Sequence, residues 1–297
     1  MSVRVRVPAS SANLGPGFDS LGLALALYND VSVEEAETLT VSVEGEGAGR
    51  ISGGERNVVA RGIRMALEAV GRPWRGAAVR CVNRIPLARG LGSSAAAWVG
   101  GLAAGNALAG SPLDRPALLT LAARAEGHPD NVAAAIYGGL TVSCSDGDAV
   151  RAVALPVPAG LTWLALIPEV TSSTAEARAV LPPTVPRADA VFNVQRVALL
   201  LASLQAGRID LLATALEDRL HEPYRLRLFP WMPEVAAAAR AAGALGCVLS
   251  GAGPTLLAVA TGGAEAIGRA MEQALQGAGL TGTARALTVD TGGVVTA

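Results

Sequence analysis

Val3, Val5 and Val7 alternate with Arg4 and Arg6, a two-residue period that turns one face of a strand to a core and the other to water. Similar β-branched, alternating stretches predict strands at 30–34, 39–43, 77–82, 139–143 and 149–155. Between them the period lengthens. Val58, Ile63, Met65, Ala66 and Leu67 fall on or near one helical face, which predicts a helix over 57–70 stopped by Gly71 and Pro73. An alanine-rich helix is expected from Ser93 to about residue 109, closed by Gly110 and Pro112, and another over 115–126.

Pro156, Pro158 and Gly160 break the pattern and divide the chain into an N-terminal domain, 1–156, and a C-terminal domain, 157–297. The second half reads as a strand over 161–167, a helix over 174–181, a proline-rich link and a helix over 189–206. Shorter helices at 210–216 and 233–242 follow, then a strand–turn–strand over 245–260, a helix over 263–277 and a last strand at 285–289. That order predicts an α+β fold with helices on one face of an antiparallel sheet.

Composition narrows the chemistry. With 24 basic and 25 acidic side chains, a net charge of -1 and 16% charged residues, the chain has no long-range pull on nucleic acid or an anionic membrane. No apolar stretch approaches the roughly 20 residues that span a bilayer. The N-terminus has a strand pattern, not the charged head and apolar core of a signal sequence. Cys81, Cys144 and Cys247 are far apart and form no CxxC pair, so they are expected to be reduced cysteines of a cytoplasmic protein. Every basic residue is arginine, which excludes a Walker-type phosphate lysine, a Schiff-base lysine and a lysine base. His128 and His221 are the only histidines and stand far apart, which excludes an HExxH motif or a three-histidine metal site.

Four segments carry candidate chemistry. In the first, IPLARGLGSSAAA, glycines precede two serines and a run of helix formers, so backbone N–H groups and a helix start can hold a phosphate without lysine. Ser93 or Ser94 could offer a hydroxyl to magnesium; a serine-capped glycine turn would look the same. The stretch PASSANLGPGFD, 8–19, packs glycines, prolines, Asn13 and Asp19 into a tight, polar, conformationally fixed stretch directly after the first strand. Turn chemistry explains Gly15, Pro16 and Gly17 but not the polar density around them. EGHPDN, 126–131, gathers two carboxylates, a histidine and an amide ahead of an alanine-rich helix, which Asp130 or Asn131 could simply cap. LSGAGPT, 249–255, sets an unobstructed glycine turn between two apolar strands.

Together, and in this order, these segments resemble the GHMP kinases over nearly the whole chain. Their wording, with STAEAR and SSANLGPGFDSLGLAL, is closest to members that phosphorylate the side-chain hydroxyl of L-homoserine on the route to threonine. The resemblance implies a two-domain fold: an N-terminal domain containing a left-handed βαβ unit, and a ferredoxin-like C-terminal domain, with ATP and substrate meeting between them. It implies that Pro86, Leu87, Ala88, Arg89, Gly90, Leu91, Gly92, Ser93, Ser94, Ala95 and Ala96 wrap the ATP phosphates, with Asn57 near adenine. Ser94 and Glu126 would hold Mg2+. Arg178 and Arg225 would grip the substrate carboxylate, a task that suits a guanidinium fork. Asp19 and Asp130 would face its ammonium, Asn13 and His128 would add hydrogen bonds, and Thr174 would lie near the reacting end.

Other family members place an aspartate base near EGHPDN and partner it with a lysine. Here Asn131 stands in that place, and an amide takes no proton at neutral pH. In-line transfer without a carboxylate base, with Asn131 orienting the hydroxyl, is therefore expected. The resemblance also implies a homodimer. The alternatives are a kinase of another small alcohol, which would not need the arginine clamp, and a non-catalytic ligand sensor.

Overall fold

The computed structural model describes residues 2–297. The first half supplies β1 (Ser2–Asn13), β2 (Gly17–Glu35), β3 (Thr40–Gly45), α1 (Val58–Ala69), β4 (Ala77–Asn83) and α2 (Ser93–Leu108). It continues with α3 (Arg115–Glu126), α4 (Asp130–Tyr137), β5 (Leu140–Asp146) and β6 (Ala149–Leu155). The second half supplies β7 (Thr162–Pro168), α5 (Thr174–Ala179), α6 (Arg187–Ala206), α7 (Leu212–Ala215), α8 (Glu222–Arg225) and α9 (Met232–Ala241). Then come β8 (Gly246–Leu249), β9 (Leu256–Ala260), α10 (Ala264–Gly277), β10 (Gly282–Leu287) and β11 (Val295–Thr296).

Seven strands form the first sheet, ordered β11-β1-β2-β4-β3, with β5 pairing with β2 and β6 with β5. β3 and β4 run parallel, and α1 makes the crossover between them, giving a βαβ unit. α2 packs against α1 with unusually close backbones. A Cβ at Gly101 would clash with Val59 O, and one at Gly62 would lie 3.0 Å from the Gly101 Cα. α2 is buried on nearly every side, so its apolar residues show no stripe.

The second sheet is antiparallel and ordered β10-β7-β9-β8. With β7, β8, β9 and β10 taken as its first to fourth strands, that is the 4-1-3-2 order of a ferredoxin-like sheet. Trp163, Ala165 and Ile167 of β7 face the core shared with the first sheet. Leu164 and Leu166 face a second core under α9 and α10, with Val235, Ile267 and Met271. Burial on both faces explains the unbroken apolar run of this strand. The chain then returns to the first sheet: Asp290 N donates to Ala24 O, and Val295 pairs with Arg6.

Two sequence expectations change. Residues 8–19 do not follow the first strand but form the end of a long hairpin within β1 and β2, whose tip, Leu14 to Pro16, holds the expected turn at Gly15 and Pro16. Register shifts between Pro8 and Ala9 and between Ala12 and Asn13 let β1 carry a proline and polar residues while still pairing with β2. The strand expected at 30–34 is the last part of the 19-residue β2. Leu21, Leu23, Ala24 and Leu25 are all buried, so alternation is lost over the earlier part.

Candidate active site

The loop after β4 enters α2 through Gly92, whose φ of 67° is left-handed and costs glycine little. No side chain caps this helix start among the described residues. Ala96 N is the first amide to reach an acceptor one turn back, Gly92 O at 2.8 Å, so the N–H groups of Ser93, Ser94 and Ala95 open the helix unpaired. Carbonyls of the preceding loop are tied outward. Ser172 N donates to Ala88 O, Thr255 N to Arg89 O and Ser10 N to Leu91 O. Ser250 Oγ donates to Gly90 O at 2.6 Å and lies 2.8 Å from Ser11 Oγ. With its carbonyls held, the loop keeps its N–H groups for an anion.

The side chains of Pro86, Leu91, Ala95 and Ala96 lie in the core, so these residues can meet a ligand only through backbone. Arg89 also turns away: Nε donates to Pro168 O at 2.8 Å and Nη2 to Glu169 O at 2.9 Å. It staples the loop to the end of β7.

Two cavities adjoin at Ala88, Ser93 and Ser94. One, about 250 Å3, is lined by Val43, Ile51, Asn57, Leu87 and Ala97 among others. Asn57 caps α1, its Oδ1 accepting from Val59 N and Ala60 N while Nδ2 donates to Ser52 O. One amide hydrogen is left for any partner in that cavity. The other cavity, about 230 Å3, brings together Gly90, Gly92, Ser94, Glu126, His128, Asn131, Thr174 and Gly251.

Gly127, in the left-handed region, ends α3 and turns the chain into α4, which gathers the EGHPDN side chains. Ser94 Oγ donates to Glu126 Oε2 at 2.7 Å. Burial raises the Glu126 carboxyl above its ordinary range, against the Ser94 hydrogen bond. His128 Nδ1 lies 2.7 Å from Asp130 Oδ1. Burial lowers His128, but the Asp130 hydrogen bond and the charges of Asp130 and Glu126 outweigh it and leave the imidazole raised. Asp130 is 2% exposed, and its Oδ1 also accepts from Asn131 N at 2.7 Å. It is the first residue of α4 and not its cap. Asn131 Oδ1 accepts from Ser10 Oγ at 2.9 Å, which fixes the amide.

Beside this cavity lie the two arginines. Arg178 pairs bidentately with Asp19, at 3.0 and 2.7 Å, and that hydrogen bonding raises its pKa. Asn13 Oδ1 accepts from Asp19 N, and its Nδ2 donates to Gly251 O. Arg225 is 2% exposed and also donates to Gly251 O, at 2.9 Å, with no hydrogen bond at Nη2 among the described residues. Burial, then the Arg178 charge, pushes its pKa down to about 10. Both guanidinium groups lie over the ring of Phe18, at 5.6 and 5.5 Å.

Sequence reasoning missed Ser10, Phe18, His221 and Ser250, which hold the working groups. PASSAN and LSGAGPT pointed to the segments of Ser10 and Ser250 by their polar and glycine density. Phe18 and His221 gave no signal of their own.

A glycine-rich loop opening into an uncapped helix start, set between a βαβ-containing sheet and a ferredoxin-like sheet, defines the architecture of the GHMP kinases. The family models for the GHMP kinases N terminal domain and GHMP kinases C terminal match residues 57–139 and 200–277. Homoserine kinase from Moorella thermoacetica is 48% identical over 283 residues, 95% of this chain and 96% of that one. The homoserine kinase of Carboxydothermus hydrogenoformans is 47% identical over 91% of this chain and 89% of its own. A crystal structure of homoserine kinase from Cytophaga hutchinsonii, 33% identical, superposes with a TM-score of 0.91 over 100% of this chain and 97% of that one. The chain belongs to the homoserine kinase family.

Proposed function

We propose that this chain transfers the γ-phosphoryl group of ATP to the side-chain hydroxyl of L-homoserine, giving O-phospho-L-homoserine for threonine biosynthesis. The observation that carries the reading is the charge arrangement around Phe18. Asp19 and Arg178 hold each other, and an amino-acid zwitterion presents the complementary charge to each. Inserted between them, it exchanges one ion pair for two and meets Arg225 as well. A sugar or neutral alcohol would leave both guanidinium groups without a carboxylate.

ATP is read into the two adjoining cavities, adenine by Val43, Ile51 and the free Asn57 hydrogen, phosphates by the α2 start. Ser94 Oγ and Glu126 are hard oxygen donors 2.7 Å apart at the edge of the phosphate cavity, and they fit Mg2+. No group of three His, Cys, Asp or Glu among the described residues forms a metal site, so two protein donors would share the ion with phosphate oxygens. The ion would neutralise phosphate charge as the bridging oxygen departs.

Asn131, held by Ser10, and Thr174 orient the substrate hydroxyl, and the N–H groups of the loop and α2 receive the charge of the transferring group. Asp130 holds His128 and the Asn131 amide through Oδ1, and this reading gives it the substrate ammonium to face, not the hydroxyl proton. The hydroxyl proton leaves late, onto the phosphoryl group. Coupled ATP turnover with L-homoserine, mevalonate and galactose in parallel tests the reading. Turnover on homoserine alone is expected, and turnover on mevalonate or galactose without homoserine would sink it. A homodimer and a cytoplasmic setting belong to the same proposal. Light scattering giving a single-chain mass at assay concentration would remove the first.

A further inference from the structure

The two guanidinium groups beside Phe18 are held in opposite ways. Arg178 is paired with a carboxylate, Asp19. Among the described residues Arg225 has only neutral hydrogen-bond acceptors: His221 Nδ1 at 2.9 Å, Gly251 O at 2.9 Å and Ala177 O at 3.3 Å. His221 is wholly buried, and its ring stacks on Phe18 with centroids 5.2 Å apart and planes 22° from parallel. Its Nε2 lies 2.8 Å from Gly15 O, which can only accept. The proton must therefore sit on Nε2, and Nδ1 is left as a lone pair facing an Arg225 N–H.

Asp218, the nearest carboxylate, lies 3.7 Å from Nε2. Its oxygens already take the backbone N–H groups of Leu220, His221 and Glu222 and the amide of Asn193. It organises the start of α8 and does not touch Arg225.

From these contacts we infer that His221 is a positioning residue for amino-acid recognition: its Nδ1 lone pair aims Arg225 without neutralising it. The guanidinium keeps its charge for the substrate carboxylate, and the inference rests on the carboxylate clamp proposed above. A carboxylate at 221 would satisfy the same N–H but would compete with the ligand for the charge. An apolar residue would leave one buried donor unsatisfied and the fork held only by the Gly251 and Ala177 carbonyls. Burial pushes His221 down to about 4, so the ring stays neutral beside the cation near neutral pH. Phe18 completes the arrangement, fixing the imidazole plane by stacking while its ring face receives both guanidinium groups.

Two isosteric variants separate the contacts. Asparagine places an oxygen near the Nδ1 position, and glutamine places an amide nitrogen near Nε2. His221→Asn should keep KM for L-homoserine within about fivefold of wild type, because the acceptor for Arg225 survives. His221→Gln should raise that KM about tenfold or more, with KM for ATP within about twofold, because the acceptor is lost. Equal effects of the two variants, or equal weakening of both substrates, would overturn the inference. Arg225→Lys, measured alongside, keeps the two readings apart. If it leaves KM for homoserine unchanged, the clamp itself fails; if it raises that KM and His221→Gln does not, only the role of His221 fails. Nitrogen NMR of the wild-type chain needs no variant to fold. An Nε2–H tautomer at neutral pH is expected, and an Nδ1–H tautomer or an imidazolium would contradict it.

Discussion

Arg225 carries the substrate reading at the scale of single residues, because its buried charge makes no direct ion pair with a carboxylate among the described residues. Arg225→Ala is expected to lower kcat/KM for L-homoserine by roughly 2–5 kcal/mol, about 30-fold to several thousandfold, and to leave KM for ATP nearly unchanged. Equal weakening of both substrates in steady-state assays would make Arg225 structural. Behind it, burial pushes Glu222 up to about 8, and its Oε1 accepts from Leu249 N at 2.7 Å. The unfolded chain loses this proton near 4.5 and the folded chain only near 8, so the carboxyl costs stability increasingly as pH rises between them. Glu222→Gln keeps the acceptor, so its melting temperature should match wild type at pH 5 and exceed it at pH 9. A variant less stable than wild type at pH 9 would show that Glu222 is held ionised. Arg178 and Arg225 were legible from motif wording, and the missing lysine from composition. The pairing of Arg178 with Asp19 was not, since it joins residues 159 positions apart.

At the scale of elements, the loop proposed to hold phosphate enters α2 because Gly92 can turn left-handed under Ser10. A Cβ there would clash with Ser10 Oγ, the hydroxyl that also fixes Asn131. Gly92→Ala should therefore cost at least about 1–2 kcal/mol of stability from backbone strain alone. It should also lower kcat, because moving Ser10 releases Asn131. Calorimetry with saturating kinetics checks both, and a variant with unchanged kcat would separate the loop from Asn131. The glycines, the serines and the helix after them were readable as a loop leading into a helix start. The ties from Ser10, Ser172, Ser250 and Thr255 that hold its carbonyls were not, because they come from three distant segments. Alternation likewise failed along β2, where both faces are covered, and the two-residue β11 is too short to show a period.

Across the whole molecule, the cleft is assembled from both halves of the chain. The β1–β2 hairpin brings Asn13, Phe18 and Asp19, α3 and α4 bring the EGHPDN cluster, and α5, α8 and the turn after β8 bring Arg178, Arg225 and Ser250. The class of fold was legible from element order, with the βαβ unit and ferredoxin-like sheet supplied by motif resemblance. This shared construction ties acid stability to the site. His221 titrates near 6.5 in the unfolded chain and is pushed down to about 4 by burial, so native stability falls as pH drops through that interval. Melting temperatures should decline from pH 6.5 to pH 4 in the wild type, and more shallowly in His221→Asn, which has no group to titrate there. Parallel declines would place the sensitivity elsewhere. The central mechanistic claim, phosphoryl transfer by positioning without a carboxylate base, is tested most directly by kcat of Asp130→Asn with L-homoserine and ATP both saturating. That variant keeps an acceptor for His128 and removes the basic oxygen, so kcat within about tenfold of wild type is expected. A loss beyond about a thousandfold, in a chain with wild-type melting temperature, would make Asp130 the base and contradict the claim.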